Sequence, residues 1–356
     1  MSELKLMKGN EALAEAAIRA GCDAYFGYPI TPQSEVLEYL MKDATSRTGM
    51  VVLQAESEVA SINMVYGAAG TGKKVMTSSS SPGISLMVEG ISYIACAELP
   101  CLIVNVNRGG PGLGTIQPGQ GDYFQAVKGG GHGDYKLIVL APSTVQELSD
   151  FVKLSYDLAF KYRNPVMILS DGALGQMMEK VELFDPIPRT TEVPEWATVG
   201  KPATRIRNFI TSLHIQPDKM EEVNIHLQKK YKEIEKNETR VEVIDCDDAD
   251  YIITAYGLVA RICTKAALLA REKGIKVGVI RPITLFPFPY ETINKYAENV
   301  KGILDVEMNA GQMVEDIRLG VNGKTKVEFY GRMGGIVPSP EEILEHLEKI
   351  FIGGLK

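Results

Sequence analysis

Short, mostly apolar runs recur through the first half of the chain, at 23–28, 51–55, 74–78, 101–107, 137–141 and 165–170, with amphipathic stretches at helical spacing between them. A strand that is apolar at every position has both faces covered, so the pattern predicts a parallel sheet with helices packed on both sides. From about residue 179 to 246 the alternation lapses, prolines gather, and 217–237 reads as a lone polar helix with charges on every face. A second alternation begins at Asp250: YIITAYG, KVGVIRPIT, GILDVEMN and KVEFYGR read as strands, with helices over 259–273 and 290–299 and from Gln312 and Pro340. The chain thus divides into an α/β domain at 1–180, a connecting arm at 181–247 and a smaller α/β domain at 248–356.

One segment fits neither period. Between Gly109 and Tyr135 the sequence is crowded with glycine and far exceeds the usual loop of a compact domain, a length that accompanies either a functional loop or a surface excursion. The 356 residues suffice for two cores, and the formal net charge of -7 leaves no basic stripe for a phosphate backbone, which argues against a nucleic-acid partner. No apolar run approaches the roughly 18 residues that a membrane helix needs, and the first residues lack the apolar core of a signal peptide, so a soluble, cytoplasmic protein with no membrane partner is expected. The 5 cysteines are scattered and never form CxxC, so no metal or iron-sulfur ligand set is assigned to this chain, and any electron-carrying cluster must sit on another.

Several motifs invite chemistry. Residues 67–74, GAAGTGKK, nearly match a phosphate-binding loop, but Lys74 stands where a hydroxyl should hold magnesium, and the segment ends a helix and enters a strand, the reverse of the required order. Thr31-Pro32 fits an N-cap followed by proline in the first helical turn, at the carboxyl end of a parallel strand where such folds place ligands. Glu56 and Glu58 stand where a strand gives way to a helix. They read either as acids favoured by the helix dipole or as a carboxylic acid held rigidly beside a heterocycle. Arg108 follows the strand CLIVNVN and opens the glycine-rich loop, where its fork would pair with a neighbouring acid or hold a substrate carboxylate in two hydrogen bonds. Ser78 to Ser81 with Pro82-Gly83 form another strand-to-helix turn at the same edge. The 4 histidines offer no Ser-His-Asp or Cys-His arrangement.

Taken together, GYPITPQS, QAESEVASINMVYGAAGTGKKVMTSSSSPGISLMVEG and VNRGGPG, with RPITLFPFP, VEMNAGQM and GRMGG in the second half, resemble the alpha subunit of 2-oxoacid:ferredoxin oxidoreductases. The resemblance implies a thiamine diphosphate-binding fold: a pyrimidine-binding domain followed by a transketolase C-terminal-like α/β domain. It implies that thiamine diphosphate and Mg2+ lie between this chain and a beta subunit that anchors them, that iron-sulfur clusters are confined to partner chains, and that gamma and ferredoxin-like subunits complete the complex. By position, Glu58 matches the glutamate that contacts the aminopyrimidine, with Glu56 the weaker candidate. Thr31 and Arg108 match positions near the substrate carboxylate, and Pro29 and Ile30 match backbone lining the same pocket. The implied reaction is oxidative decarboxylation of a 2-oxoacid to acyl-CoA and CO2, with coenzyme A as acceptor of the acyl group and ferredoxin of the electrons. AYFGYPITPQSE and VNRGGPGLGTIQPGQGDYFQA look most like the branched-chain members, which use 2-oxoisovalerate (3-methyl-2-oxobutanoate). In the loop after Arg108 no spare arginine follows to meet a second carboxylate, as the alternative substrate 2-oxoglutarate would require. A scaffold subunit that lines no active site is the alternative of another class.

Overall fold

The computed structural model describes residues 3–201 and 204–353. Among the described residues, the larger sheet has 7 strands, in the spatial order Thr284–Phe286, Ile138–Leu140, Val166–Asp171, Leu102–Asn107, Val75–Ser79, Ala24–Gly27 and Val51–Gln54. All pair in parallel except Thr284–Phe286, which comes from the second half of the chain and adds antiparallel to Ile138–Leu140. The strands Val75–Ser79, Leu102–Asn107 and Val166–Asp171 are buried at every position, their polar residues included, as strands covered on both faces are. Val51–Gln54 is an open edge, with Val51 52% and Leu53 42% exposed.

A 5-stranded sheet holds the second core, in the order Val327–Gly331, Gly302–Glu307, Tyr251–Thr254, Val277–Pro282 and Val241–Ile244. Its last strand lies in the segment read from sequence as arm, and pairs antiparallel with Val277–Pro282. The polar helix of that segment spans Pro217–Glu238 and buries only Leu227, Tyr231, Ile234 and Glu238. A further pair, Glu3–Lys8 against Met178–Leu183, had no counterpart in the sequence reading. These strands alternate polar and apolar residues instead of forming an apolar run, and the pair lies open to solvent, with Leu4 and Leu6 65% and 59% exposed.

The two sheets are bound to each other by buried polar contacts. Arg281, 4% exposed, donates from Nη1 and Nη2 to both carboxylate oxygens of Glu147 at 2.7 and 2.6 Å. This paired fork joins a strand of the second sheet to the helix Val145–Tyr162 of the first domain. Asp316, on the helix Met313–Val321, accepts from Tyr123 at 2.6 Å and from Tyr290 and Lys128 at 2.5 Å each. No helix of the described residues is long and apolar enough to cross a membrane.

Candidate active site

At the carboxyl edge of the larger sheet, four consecutive chain segments meet. The strand Ala24–Gly27 leaves into the turn 28–33, and here the structure corrects one expectation. The helix that follows is Ser34–Thr48 with Gln33 at its N-cap, so Thr31 and Pro32 lie in the turn and do not cap the helix. The turn is fixed by side chains instead. Asn10 and Gln176 both donate to the Pro32 carbonyl, at 2.8 and 3.0 Å, and Gln33 accepts from Ser78 Oγ at 2.6 Å. Tyr25 shares a 2.8 Å hydrogen bond with the same Ser78 hydroxyl, and burial pushes its phenol up to about 12, so it remains neutral. Tyr28, Pro29 and Thr31 are exposed and Ile30 is half-buried.

The strand Val51–Gln54 leads into the helix Glu58–Ala69, whose N-cap Ser57 accepts from the Ala60 N–H at 3.1 Å. The register of that cap places Glu58 in the first turn facing inward, at 6% exposure, while Glu56 is exposed. Its carboxyl lies against the next strand-to-helix turn: a Cβ on Gly83 would stand 2.6 Å from Glu58 Oε1 and 2.0 Å from Ser79 Oγ. Glycine at 83 is what lets the carboxyl seat there. The same helix ends at Ala69 with Gly70 as C-cap, and the chain then enters Val75–Ser79, so the glycines at 67–72 close a helix and form no phosphate cradle.

Arg108 ends the central strand and is 7% exposed. Its Nη1 donates to the Thr31 carbonyl at 2.8 Å and its Nη2 to the Leu113 carbonyl at 2.9 Å, so the guanidinium ties the 28–33 turn to the glycine-rich loop. Buried without a hydrogen-bond partner are Arg108 Nε, Asn107 Nδ2 and the hydroxyls of Ser79 and Ser80, all at this edge. Unpaired buried polar atoms each cost about 1–3 kcal/mol, so their concentration beside a buried carboxyl marks a place built for a polar ligand.

Sequence reasoning gave no role to the residues that brace this edge from behind. Asp171, the N-cap of Gly172–Gln176, accepts from Ala173 and Leu174 N–H at 2.9 and 3.1 Å, and burial pushes its carboxyl up to about 6. Gln120 is nearly enclosed and joins the loop to Met308, Asn309 and Tyr256 of the second domain. A strand-end polar residue inside an apolar run, as in CLIVNVN, is the available signal for Asn107. Nothing local flags Gln120. Away from the edge, His226 pairs with Glu98 at 3.1 Å, a contact that spacing in sequence could not show.

Residues 15–244 match the sequence family described as pyruvate flavodoxin/ferredoxin oxidoreductase, thiamine diP-binding, and residues 249–343 match pyruvate:ferredoxin oxidoreductase core domain II. The chain is 49% identical over 346 residues to ketoisovalerate oxidoreductase subunit VorB of Methanothermobacter thermautotrophicus, covering 97% of each. Among solved structures it resembles the 2-oxoglutarate:ferredoxin oxidoreductase of Magnetococcus marinus, with 30% identity and a TM-score of 0.87. That likeness covers 97% of this chain and 65% of the solved one, so the chain spans about two thirds of that protein's length. A split-gene transketolase shares the fold at 13% identity, with a TM-score of 0.60 over 97% of this chain and 98% of the other. The chain therefore belongs to the 2-oxoacid:ferredoxin oxidoreductases, as a subunit with their thiamine diphosphate-type α/β domain followed by core domain II.

Proposed function

We propose that this chain forms one wall of the active site in a thiamine diphosphate-dependent complex that oxidatively decarboxylates a branched-chain 2-oxoacid, 2-oxoisovalerate, to its acyl-CoA and CO2, passing electrons to ferredoxin. The observation that carries the reading is Glu58. A carboxyl 6% exposed, free of protein hydrogen bonds among the described residues and seated on a glycine, suits the aminopyrimidine nitrogen N1'. When bound, the cofactor supplies the carbanion chemistry that a 2-oxoacid needs to lose CO2. Glu58 holds the proton at N1' that sets the ring's tautomer. Arg108, with an N–H to spare at Nε, and Thr31 receive the substrate carboxylate, and Pro29 and Ile30 line the pocket as backbone. Braced by two carbonyls, Arg108 is held in place before substrate arrives.

An apolar substrate side chain fits the loop above this site, where Leu113 is 82% and Ile116 57% exposed. The greater identity to a ketoisovalerate enzyme than to a 2-oxoglutarate one points the same way. The remainder of the site comes from partners. A beta subunit anchors the diphosphate and Mg2+, for which this chain has no motif, and gamma and ferredoxin-like subunits carry the iron-sulfur clusters. The open apolar edge at Val51 and Leu53, beside Glu58, is where such a subunit would pack. We assign 1–180 to the pyrimidine-binding unit, 181–247 to the arm and 248–356 to the second domain, and place the complex in the cytoplasm.

The test is anaerobic viologen reduction by the complex captured from its native host, with coenzyme A and each 2-oxoacid in turn. A preference for 2-oxoisovalerate supports the reading, since an apolar pocket rejects a second buried carboxylate. A preference for 2-oxoglutarate would overturn the substrate and keep the mechanism.

A further inference from the structure

The segment between the two domains holds one stretch that no element of the fold absorbs. From Asn208 to Ile215 burial alternates with the period of a strand: Asn208, Ile210, Ser212 and His214 are half-buried, and the odd-numbered residues that follow each of them are exposed. No strand pairs with the stretch, and among the described residues no backbone group from 205 to 215 bonds another backbone group. Its inner side is anchored. Asn208 Nδ2 donates to the Glu195 and Ala197 carbonyls at 2.6 and 2.9 Å, and Ile210 packs against the core beside Gly70. The outer side is apolar and bare: Phe209 is 73%, Leu213 71% and Ile215 83% exposed, with Ile206 at 84% just upstream.

This segment follows the amino ends of the larger sheet's strands. Arg189 Nη1 donates to the Thr48 carbonyl at 2.8 Å, ahead of Val51–Gln54, and Thr198 N–H to the Gly70 carbonyl at 2.9 Å, ahead of Val75–Ser79. Cys96 Sγ lies 3.9 Å from the Ser212 carbonyl, ahead of Leu102–Asn107. Glu58 and Arg108 stand at the opposite ends of these strands, so a chain seated on the stripe leaves the catalytic edge free. Four large side chains this exposed present about 600 Å2 of apolar surface, at the limit of the roughly 300–600 Å2 patches that monomers leave open. Homodimer interfaces are about two-thirds apolar, so the patch corresponds to about 900 Å2 per copy, enough for a stable contact of about 800 Å2 a side.

The charges select the occupant. Arg205 and Arg207 stand at one end of the stripe, Arg207 over the Phe209 ring at 4.3 Å, and the exposed Asp218 and Glu221 stand at the other. None of these four charges forms an ion pair among the described residues, whereas the neighbouring Glu222 is paired with Lys219. A two-fold axis across the middle of the stripe brings the apolar residues of two copies together and sets the arginines of each against the acids of the other. We propose that residues 206–215 form an isologous contact between two copies of this chain, joining the complex in pairs at the edge away from the active site. The contact is independent of the substrate and of the role of Glu58.

The test is native mass spectrometry of the complex captured from its host through a tag on this chain. Wild type is expected to carry two copies of the chain per particle. Phe209→Glu with Leu213→Glu should leave one, with every partner subunit kept in its ratio to this chain. Arg205→Glu with Arg207→Glu should also separate the copies, and adding Asp218→Arg with Glu221→Arg should rejoin them, since the swap exchanges the signs at both ends of both copies. A wild-type particle with a single copy, two copies surviving the glutamate substitutions, a charge swap that fails to rejoin them, or loss of a partner subunit with the copy number unchanged overturns the proposal.

Discussion

Gly83→Ala is the sharpest probe of how this site is built, because backbone conformation does not forbid it. Gly83 sits in the first turn of the helix Ser81–Cys96 outside the left-handed region, and alanine there favours the helix by up to about 1 kcal/mol. The added methyl would lie 2.0 Å from Ser79 Oγ, 2.6 Å from Glu58 Oε1 and 2.9 Å from Glu58 Cγ. Ser79 can rotate away without losing a hydrogen bond, for its hydroxyl has none. Glu58 loses no protein hydrogen bond either, but both its Oε1 and its Cγ stand in the way of the methyl: moving Oε1 from 2.6 Å to an ordinary contact of 3.4 Å displaces the carboxyl by about 0.8 Å. Overpacking of this kind costs about 1–3 kcal/mol, so the helix gain leaves a net loss of about 0–2 kcal/mol. A displacement near 1 Å at a group that must meet a ring nitrogen costs about a hundredfold in rate. Gly83→Ala should therefore lower 2-oxoacid-dependent viologen reduction by roughly 30- to 100-fold, while the complex assembles and its thermal midpoint falls by only a few degrees. Activity within about threefold of wild type would refute the placement of Glu58 against Gly83.

Two further outcomes follow from groups behind the site. Asp171 has its pKa raised from 3.8 to about 6, so the folded chain binds this proton more tightly than the unfolded one; the resulting stability is full below about pH 3.8 and is lost as pH rises through about 6. Two units correspond to about 3 kcal/mol, so Asp171→Asn, a mimic of the protonated form, should gain roughly that much on wild type between pH 4 and 7 in urea unfolding; a pH-independent difference would contradict this. Asp316→Leu strands the hydroxyls of Tyr123 and Tyr290 and unpairs Lys128. It should destabilise the chain by about 3–5 kcal/mol, and a loss below about 1 kcal/mol in the same assay would show that this junction contributes little.

What the sequence made legible was whatever repeats with a period. Strands such as Leu102–Asn107 and helices such as Pro217–Glu238 appear at their predicted places because burial on both faces, or a long polar run with a narrow buried stripe, leaves a pattern in hydrophobicity. The Glu3–Lys8 and Met178–Leu183 pair escaped because its alternation is half polar and its partners lie at opposite ends of a domain. At the site, the turn positions of Glu58 and Arg108 could be read from strand-to-helix transitions. The resemblance already set Glu58 above Glu56, and the register of the Ser57 cap is what buries the one and exposes the other. Gln120 and Asp316 were illegible for another reason: their hydrogen bonds reach residues up to 193 positions away, and nothing local distinguishes such a polar residue from a solvated one.

The central claim, that this chain lines the active site with Glu58, is tested most directly by Glu58→Gln in the assembled complex, assayed anaerobically with 2-oxoisovalerate, coenzyme A, thiamine diphosphate and Mg2+. The amide cannot hand over a carboxyl proton, so turnover should fall by about a hundredfold or more while partner subunits and their clusters stay bound. Turnover equal to wild type in that complex would contradict the account and leave this chain a scaffold for chemistry performed elsewhere.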